Sequence, residues 1–135
     1  MSQPQMRKPI ECGVPDHMQY LHPTLRKNYG NWKYHDRPRP GVLHHVSQSG
    51  DQVWSVRAGT QRQMDVHTIR KLCDIADKFA EGHVRFTIRS NMEFMVGDEK
   101  KVAPLIAELE KNGFPVGGTG NSVSMIAHTQ GWLHC

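Results

Sequence analysis

Two stretches of this chain repeat apolar residues at intervals of three and four, and short β-rich runs lie on either side of each. In the first, Val66, Ile69, Leu72, Cys73, Ala76, Phe79 and Ala80 form one stripe of a helix over 65–80. Asp65 can cap its start, and Glu81-Gly82-His83 ends it, with Gly82 in the left-handed conformation. In the second, Val102, Leu105, Ile106 and Leu109 form the stripe. Pro104 would break a helix interior, so the helix is expected to begin near Lys101 with Pro104 in its first turn and to close at Lys111-Asn112-Gly113. A helix with one apolar stripe must bury it against another element, and the neighbouring runs supply a sheet.

Those runs read as strands. Val42–Val46 and Val53–Val56 flank the turn cluster Ser49-Gly50-Asp51 and predict a hairpin. Val84, Phe86 and Ile88 alternate with Arg85, Thr87 and Arg89, so the first set is expected in the core and the second on the opposite face. Ser90-Asn91 turns the chain and Glu93–Val96 returns. After the glycine loop Gly117-Gly-Thr-Gly120, a last strand is expected from Ser122 to Ala127. The order from Val53 onward is βαββαβ, preceded by one further strand. This predicts an α+β, ferredoxin-like half-domain with two helices on one face of an antiparallel sheet. Such a fold hosts many functions and decides none.

Residues 1–40 read differently. They hold six of the eight prolines and no sustained period. Tyr20, Tyr29, Trp32 and Tyr34 interleave with His22, Lys33, His35 and Arg37. An arm rich in aromatics is expected to dock on another surface, such as a partner subunit, where a disordered tail would be poor in them. The division is thus 1–40 as an extended arm, 41–120 as the half-domain, and 121–135 as the start of a further, truncated domain.

Composition removes several classes. No run approaches the 18 apolar residues of a membrane span, so no membrane insertion is expected. No apolar stretch follows the charged start, so no secretory signal is expected. Three cysteines at 12, 73 and 135 lack the spacing of a disulfide framework and point to a reducing, cytoplasmic setting. The net charge of +4 suits an anionic ligand. Its basic residues are dispersed, whereas nucleic-acid binders gather them in a stripe. Cys73, on the helix stripe, reads as a core thiol. Among the nine histidines, His44-His45 would point to opposite faces of a strand, a poor chelate, and His128 and His134 lack zinc-site spacing.

Arg85, Thr87 and Arg89 carry the most chemistry. Two guanidiniums roughly 6.5–7 Å apart along a strand could clamp a polyanion, or the set could be a solvated sheet face. Arg57, ending the neighbouring strand, could add to the same positive face. The Gly117–Gly120 loop lacks the following helix and Lys of a phosphate loop. An anion-binding or RNA-binding ferredoxin-like module without catalytic activity stays open as an alternative. The open face carries arginines where RNA-binding sheets carry aromatics.

His83-Val-Arg-Phe-Thr-Ile-Arg-Ser-Asn-Met-Glu-Phe-Met-Val96 resembles the Arg-x-Thr-x-Arg segment of sirohaem-containing nitrite and sulfite reductases. Together with Tyr29-Gly-Asn-Trp32, Pro40-Gly-Val-Leu-His44, Cys73-Asp-Ile-Ala-Asp77, Gly117–Gly120 and His128-Thr-Gln-Gly-Trp-Leu-His-Cys135, it is similar to the N-terminal part of the dissimilatory sulfite reductase beta subunit family.

The resemblance implies an oxidoreductase that interconverts sulfite and sulfide by six electrons, in either direction. Its cofactors would be sirohaem and a [4Fe–4S] cluster. It implies that Arg57, Arg85, Thr87, Arg89, Thr119, Gly120 and Asn121 meet sirohaem, that Arg57 also serves as the catalytic contact to the oxyanion, and that Cys135 is the first of four cluster thiolates. The partners implied are an alpha subunit in an α2β2 assembly and a small sulfur-carrier protein, without nucleic acid. The other three thiolates would lie beyond Cys135, so the isolated chain is expected to be inactive. Two departures stand out. Asn121-Ser122-Val123 lacks an arginine that assimilatory relatives carry, and Glu93 replaces a Gln, leaving an acid that could be protonated, paired with an arginine, or turned away.

Overall fold

The computed structural model describes residues 16–118. A 3-10 turn (Met18–Tyr20) and a short helix α1 (Pro23–Lys27) lead into β1 (Trp32–Arg39), β2 (Val42–Ser47) and β3 (Gln52–Gly59). Helix α2 (Val66–Phe79), strands β4 (Val84–Phe86) and β5 (Asn91–Val96), a 3-10 turn (Glu99–Lys101) and helix α3 (Val102–Lys111) follow. The strands form one five-stranded antiparallel sheet in the order β1-β2-β3-β5-β4. The expected α+β, ferredoxin-like arrangement is present. The last expected strand, Ser122–Ala127, lies outside the described residues.

The two long helices form for the reasons their sequences give. The Asp65 carboxylate accepts from the Thr68 backbone N–H, capping α2. Past its C-cap Ala80, both Glu81 and Gly82 have positive φ, so the left-handed exit takes two residues. Pro104 is the third residue of α3, where its missing N–H would have had no helical acceptor. Leu72, Ile75 and Ala76 of α2 and Val102, Leu105, Ile106 and Leu109 of α3 pack on Val42, Trp54, Val56, Ala58, Met92, Phe94 and Val96. Each fully buried Leu, Ile or Phe contributes about 1.5–3 kcal/mol. The opposite face of the sheet bears no long helix among the described residues.

Six residues expected in the core are exposed: Val66, Ile69, Cys73, Val84, Phe86 and Ile88. Cys73 and Ile69 lie on the flank of α2 together with Val66, while Ile75, outside the expected stripe, is buried. Phe86 and Ile88 are also exposed, at 67% and 102%. The alternation itself holds, because Phe86 opposes Met92 and Val84 opposes Phe94 on the helix side. But β4 is an edge strand of three residues, and the helices do not reach over it. It stops at Phe86 because Thr87 and Asn91 close a hairpin loop: Thr87 N–H donates to the Asn91 carbonyl (2.8 Å) and Ser90 N–H to the Thr87 carbonyl (2.9 Å). Ser90 has φ 57°, the left-handed third residue of a three-residue loop.

Part of the segment expected as an extended arm joins the sheet. Residues 32–39 are β1, paired to β2 from Trp32↔Ser47 to Arg39↔Val42. Upstream, His22 is buried; its Nδ1 accepts from Thr24 N–H, so its Nε2–H donates to Glu81 (3.0 Å). Asn28 bridges Asp51 and Ser49 at the β2–β3 turn, and Lys27 pairs with Asp51 at 2.8 Å. Residues 22–39 thus pack on their own domain. No described helix is long and apolar enough to cross a membrane.

Beyond Val42 the free side of β3 is taken by residues 115–117. Gly59 N–H donates to the Pro115 carbonyl, Gly117 N–H to the Arg57 carbonyl, and Ala58 bridges Val116. Gly41 makes room for them. Its φ is 79°, and a Cβ there would lie 2.6 Å from the Gly117 backbone nitrogen. Gly50 has a similar φ of 89° with nothing within 4 Å. Both Gly→Ala changes carry the φ penalty, but Gly41→Ala also forces backbone apart. We expect G41A to lose more than about 1 kcal/mol in urea unfolding and G50A clearly less; equal losses would mean that the 115–117 contact contributes nothing.

Candidate functional site

Strand pairing brings two of the sequence-predicted arginines together. Arg57 on β3 lies opposite Glu93 on β5, and Glu93 lies opposite Arg85 on β4. All three side chains stand on the face away from the helices. Arg57 Nε–H donates to Glu93 Oε1 at 3.0 Å, and an Arg85 terminal nitrogen pairs with Glu93 Oε2. Glu93 is fully buried, Arg57 is about one-fifth exposed and Arg85 is largely exposed. Of the three states open to Glu93 in the sequence, the structure selects the ion pair. Among the described residues the terminal nitrogens of Arg57 make no hydrogen bond, because the contact uses Nε. That leaves one edge of the guanidinium for a further acceptor.

Thr87 and Arg89 do not share that strand geometry. Thr87 stands at the start of the hairpin loop, where its Oγ1 accepts from Asn91 N–H at 3.2 Å. Arg89 is in the loop tip and exposed. The three do not form a straight row along one strand; Arg89 extends from the hairpin end. Thr119, Gly120, Asn121 and Cys135 lie outside the described residues, as does Cys12. No group of three or more His, Cys, Asp or Glu able to hold a metal occurs among the described residues. A cleft of about 250 Å³ opens elsewhere, lined by Thr60, Gln61, Thr68, Lys71, Asn112 and Phe114 among others. It lies between the start of α2 and the end of α3, away from the arginine face.

Sequence reasoning missed the other half of the face. His35 Nδ1 and His45 Nδ1 are 2.7 Å apart, joining β1 to β2, and His45 Nε2 meets Ser55 Oγ at 3.0 Å. Trp32 packs against both imidazoles, with ring centroids 5.9 and 6.1 Å away. His44 points the other way, as alternation requires, and stacks on Trp54 at 4.8 Å. The register gave little signal: a two-residue turn at Pro40-Gly41 alone would set His35 opposite Val46, and the irregularity between Asp36 and Arg39 is what brings it opposite His45. The pair was also hidden because β1 did not read as a strand.

Burial holds the His45 imidazole down to about 4. His35, Arg85 and His44 push the same way and Glu93 opposes them. Burial likewise lowers His22, against the pull of Glu81. Both imidazoles therefore bind protons more readily in the unfolded chain. Their contribution to stability is complete above about pH 6.5 and is lost as the pH falls toward 4. We expect the melting temperature to fall over that interval, and His45→Gln to flatten the fall without removing the part due to His22. A wild-type profile unchanged between pH 7 and 4 would contradict this.

The arginine–glutamate triad also predicts a non-additive series. Arg57→Ala or Arg85→Ala alone leaves Glu93 one cation. The double variant buries an unpaired carboxylate and should lose about 3–5 kcal/mol, more than the sum of the singles. Adding Glu93→Gln should recover a large part, as read by chemical unfolding.

The fold agrees with comparisons to known proteins. Residues 45–112 match the family described as the nitrite/sulfite reductase ferredoxin-like half domain, so the chain belongs to that family. More particularly, it is a partial homologue of the dissimilatory sulfite reductase beta subunit. It is 50% identical over 132 residues to "Sulfite reductase, dissimilatory-type subunit beta" of Archaeoglobus fulgidus, covering 93% of this chain and 36% of that protein. The protein of the same name from Nitratidesulfovibrio vulgaris is 45% identical, covering 98% and 36%. That from Megalodesulfovibrio gigas is 44% identical, covering 95% and 53%. The chain thus spans between about a third and a half of the length of these relatives.

Proposed function

We propose that this chain forms one wall of the cofactor and oxyanion site of a dissimilatory-type sulfite reductase. The reaction would interconvert sulfite and sulfide: hydrogen sulfite, six electrons and six protons give hydrosulfide and three waters. The observation that carries the reading is the pairing of Arg57 and Arg85 across buried Glu93 on the face without a long helix, in a chain homologous to beta subunits over most of its length. An alpha subunit as partner, an α2β2 assembly, a sulfur-carrier protein and a cytoplasmic setting belong to this proposal.

The residues present suit sirohaem in their donor chemistry. Its carboxylates need fixed cations, and Arg85 and Arg89 are exposed guanidiniums at one end of the sheet. Thr87 can donate its hydroxyl proton while Oγ1 accepts from Asn91. Sirohaem and the cluster, when bound, would supply the electrons. Cys135 is proposed as a cluster thiolate on the strength of the resemblance alone.

The chain's own contribution is electrostatic. Arg57 cannot lose its proton, so it acts as a fixed donor to negative oxygen and not as an acid. Glu93 takes its Nε–H and so fixes the plane of the guanidinium. The terminal N–H groups are then aimed before any anion arrives, which is the arrangement that stabilises developing oxyanion charge.

The test uses the complete enzyme. Arg89→Ala should lower the sirohaem content, read from the absorption spectrum. Arg57→Ala should retain sirohaem and lower sulfite turnover on the order of 10²-fold. Full sirohaem and full rate in both variants would refute the assignment of this face.

A further inference from the structure

The polar side chains of the face without a long helix make a lane across the sheet. On β1 stand Trp32 and His35, on β2 His45, on β3 Ser55 and Arg57, on β5 Glu93, and on β4 Arg85. At one end of this lane two imidazole nitrogens lie 2.7 Å apart. At that distance one must carry a proton and the other a lone pair, so the pair holds one proton between its Nδ1 atoms. A second nitrogen of the same pair, His45 Nε2, is already engaged by Ser55. One further proton can be held without breaking the His–His contact, on whichever outer nitrogen, His35 Nε2 or His45 Nε2, carries the lone pair. At the other end of the lane are the two arginines.

We propose that this face couples oxyanion capture to proton uptake, the His35–His45 pair gaining a proton when an oxyanion settles on Arg57, across Glu93 from Arg85. The proposal rests on the reading of Arg57 as the oxyanion contact. Its physical content is charge balance across a sheet. With no ligand, the charged groups of the lane are two guanidiniums and one carboxylate, Arg57, Arg85 and Glu93. Their net charge is positive, and burial adds to the penalty against charging the pair. Arg85 is felt directly at His45, as is Glu93 with the opposite sign. A dianion on Arg57 reverses the net sign of the lane and removes the repulsion. His44 also opposes charging His45, as the smallest of the influences on it. His44 lies on the opposite face, paired with Asp36 at 3.1 Å, and Lys27 of α1 is taken by Asp51.

The coupling is reciprocal: if anion binding raises the pair's proton affinity, protonation raises the anion affinity by the same factor. Reduction of an oxyanion consumes protons, so the face would hold a proton whenever the anion is in place.

Sulfate is the probe, since it stays a dianion from pH 4.5 to 7.5. The full 135-residue chain would be titrated at constant ionic strength, reading the backbone amides of Arg57 and Glu93 and the ring nitrogens of His35 and His45 by NMR. Sulfate should bind at least about threefold more tightly at pH 5 than at pH 7.5, and saturating sulfate should move the ring-nitrogen titration to higher pH. His45→Gln, which keeps a donor for Ser55, should bind sulfate with nearly one affinity across that range. Wild-type binding with the pH profile of H45Q, or ring nitrogens indifferent to sulfate, would overturn the coupling while leaving the arginine site intact. Loss of binding in Arg57→Ala is expected. Absence of saturable change at Arg57 and Glu93 in wild type at every pH would instead overturn the arginine site itself.

Discussion

A fully buried carboxylate holds together the face of the sheet that carries no long helix. Glu93 stands at the centre of β5 with a cation on each side, and both cations come from different strands. Removing such a charge from water costs several kcal/mol, so the group is tolerable only when paired. The pairing works in the other direction as well. Two arginines on neighbouring strands would repel each other, and the acid between them lets both face the same way. The resulting site keeps a net positive charge and fixed geometry before any ligand arrives. A Gln at this position would accept hydrogen bonds but could not neutralise either cation.

What the sequence disclosed depended on whether a signal was local or shared between strands. The Asp65 cap, the Pro104 placement and the 42–47 and 52–59 hairpin rest on neighbours in the chain, and each is present. The matching faces of Arg85 and Glu93 also follow from alternation. Helix faces proved harder. The stripe Val66, Ile69, Cys73 satisfies helical spacing, but it lies to one side of the line through Leu72, Ile75 and Ala76, and only the latter meets the sheet. Spacing identifies an amphipathic helix without stating which edge of the stripe is covered.

β1 was illegible for a different reason. Its sequence, Trp-Lys-Tyr-His-Asp-Arg-Pro-Arg, carries charges and a proline, the features of an edge strand that resists further pairing. Irregularities between Trp32 and Tyr34 and between Asp36 and Arg39 break its period. Trp32 and His35, three apart, therefore reach the same face, which no alternating pattern would show. β4 failed at its end instead. Continuing the alternation through Arg89 ignored the three residues that a hairpin loop consumes, and Ser90 in a left-handed conformation gave little warning, since glycine or asparagine is more usual there.

The core and the site are not independent parts of this molecule. The register that sets Val56 against Phe94 and Ala58 against Met92 in the core also sets Arg57 against Glu93 on the other face. A slip of β5 by one residue would drive Glu93 under the helices and turn Phe94 to the polar side. The apolar burial that makes that slip costly therefore fixes the spacing of the charges. A sheet with helices on one face has this property in general: it can hold a demanding electrostatic arrangement on the other face without stabilising it there. The face carrying Glu93 can then keep unused donors on Arg57 and a shared proton between His35 and His45, because its geometry is enforced from behind.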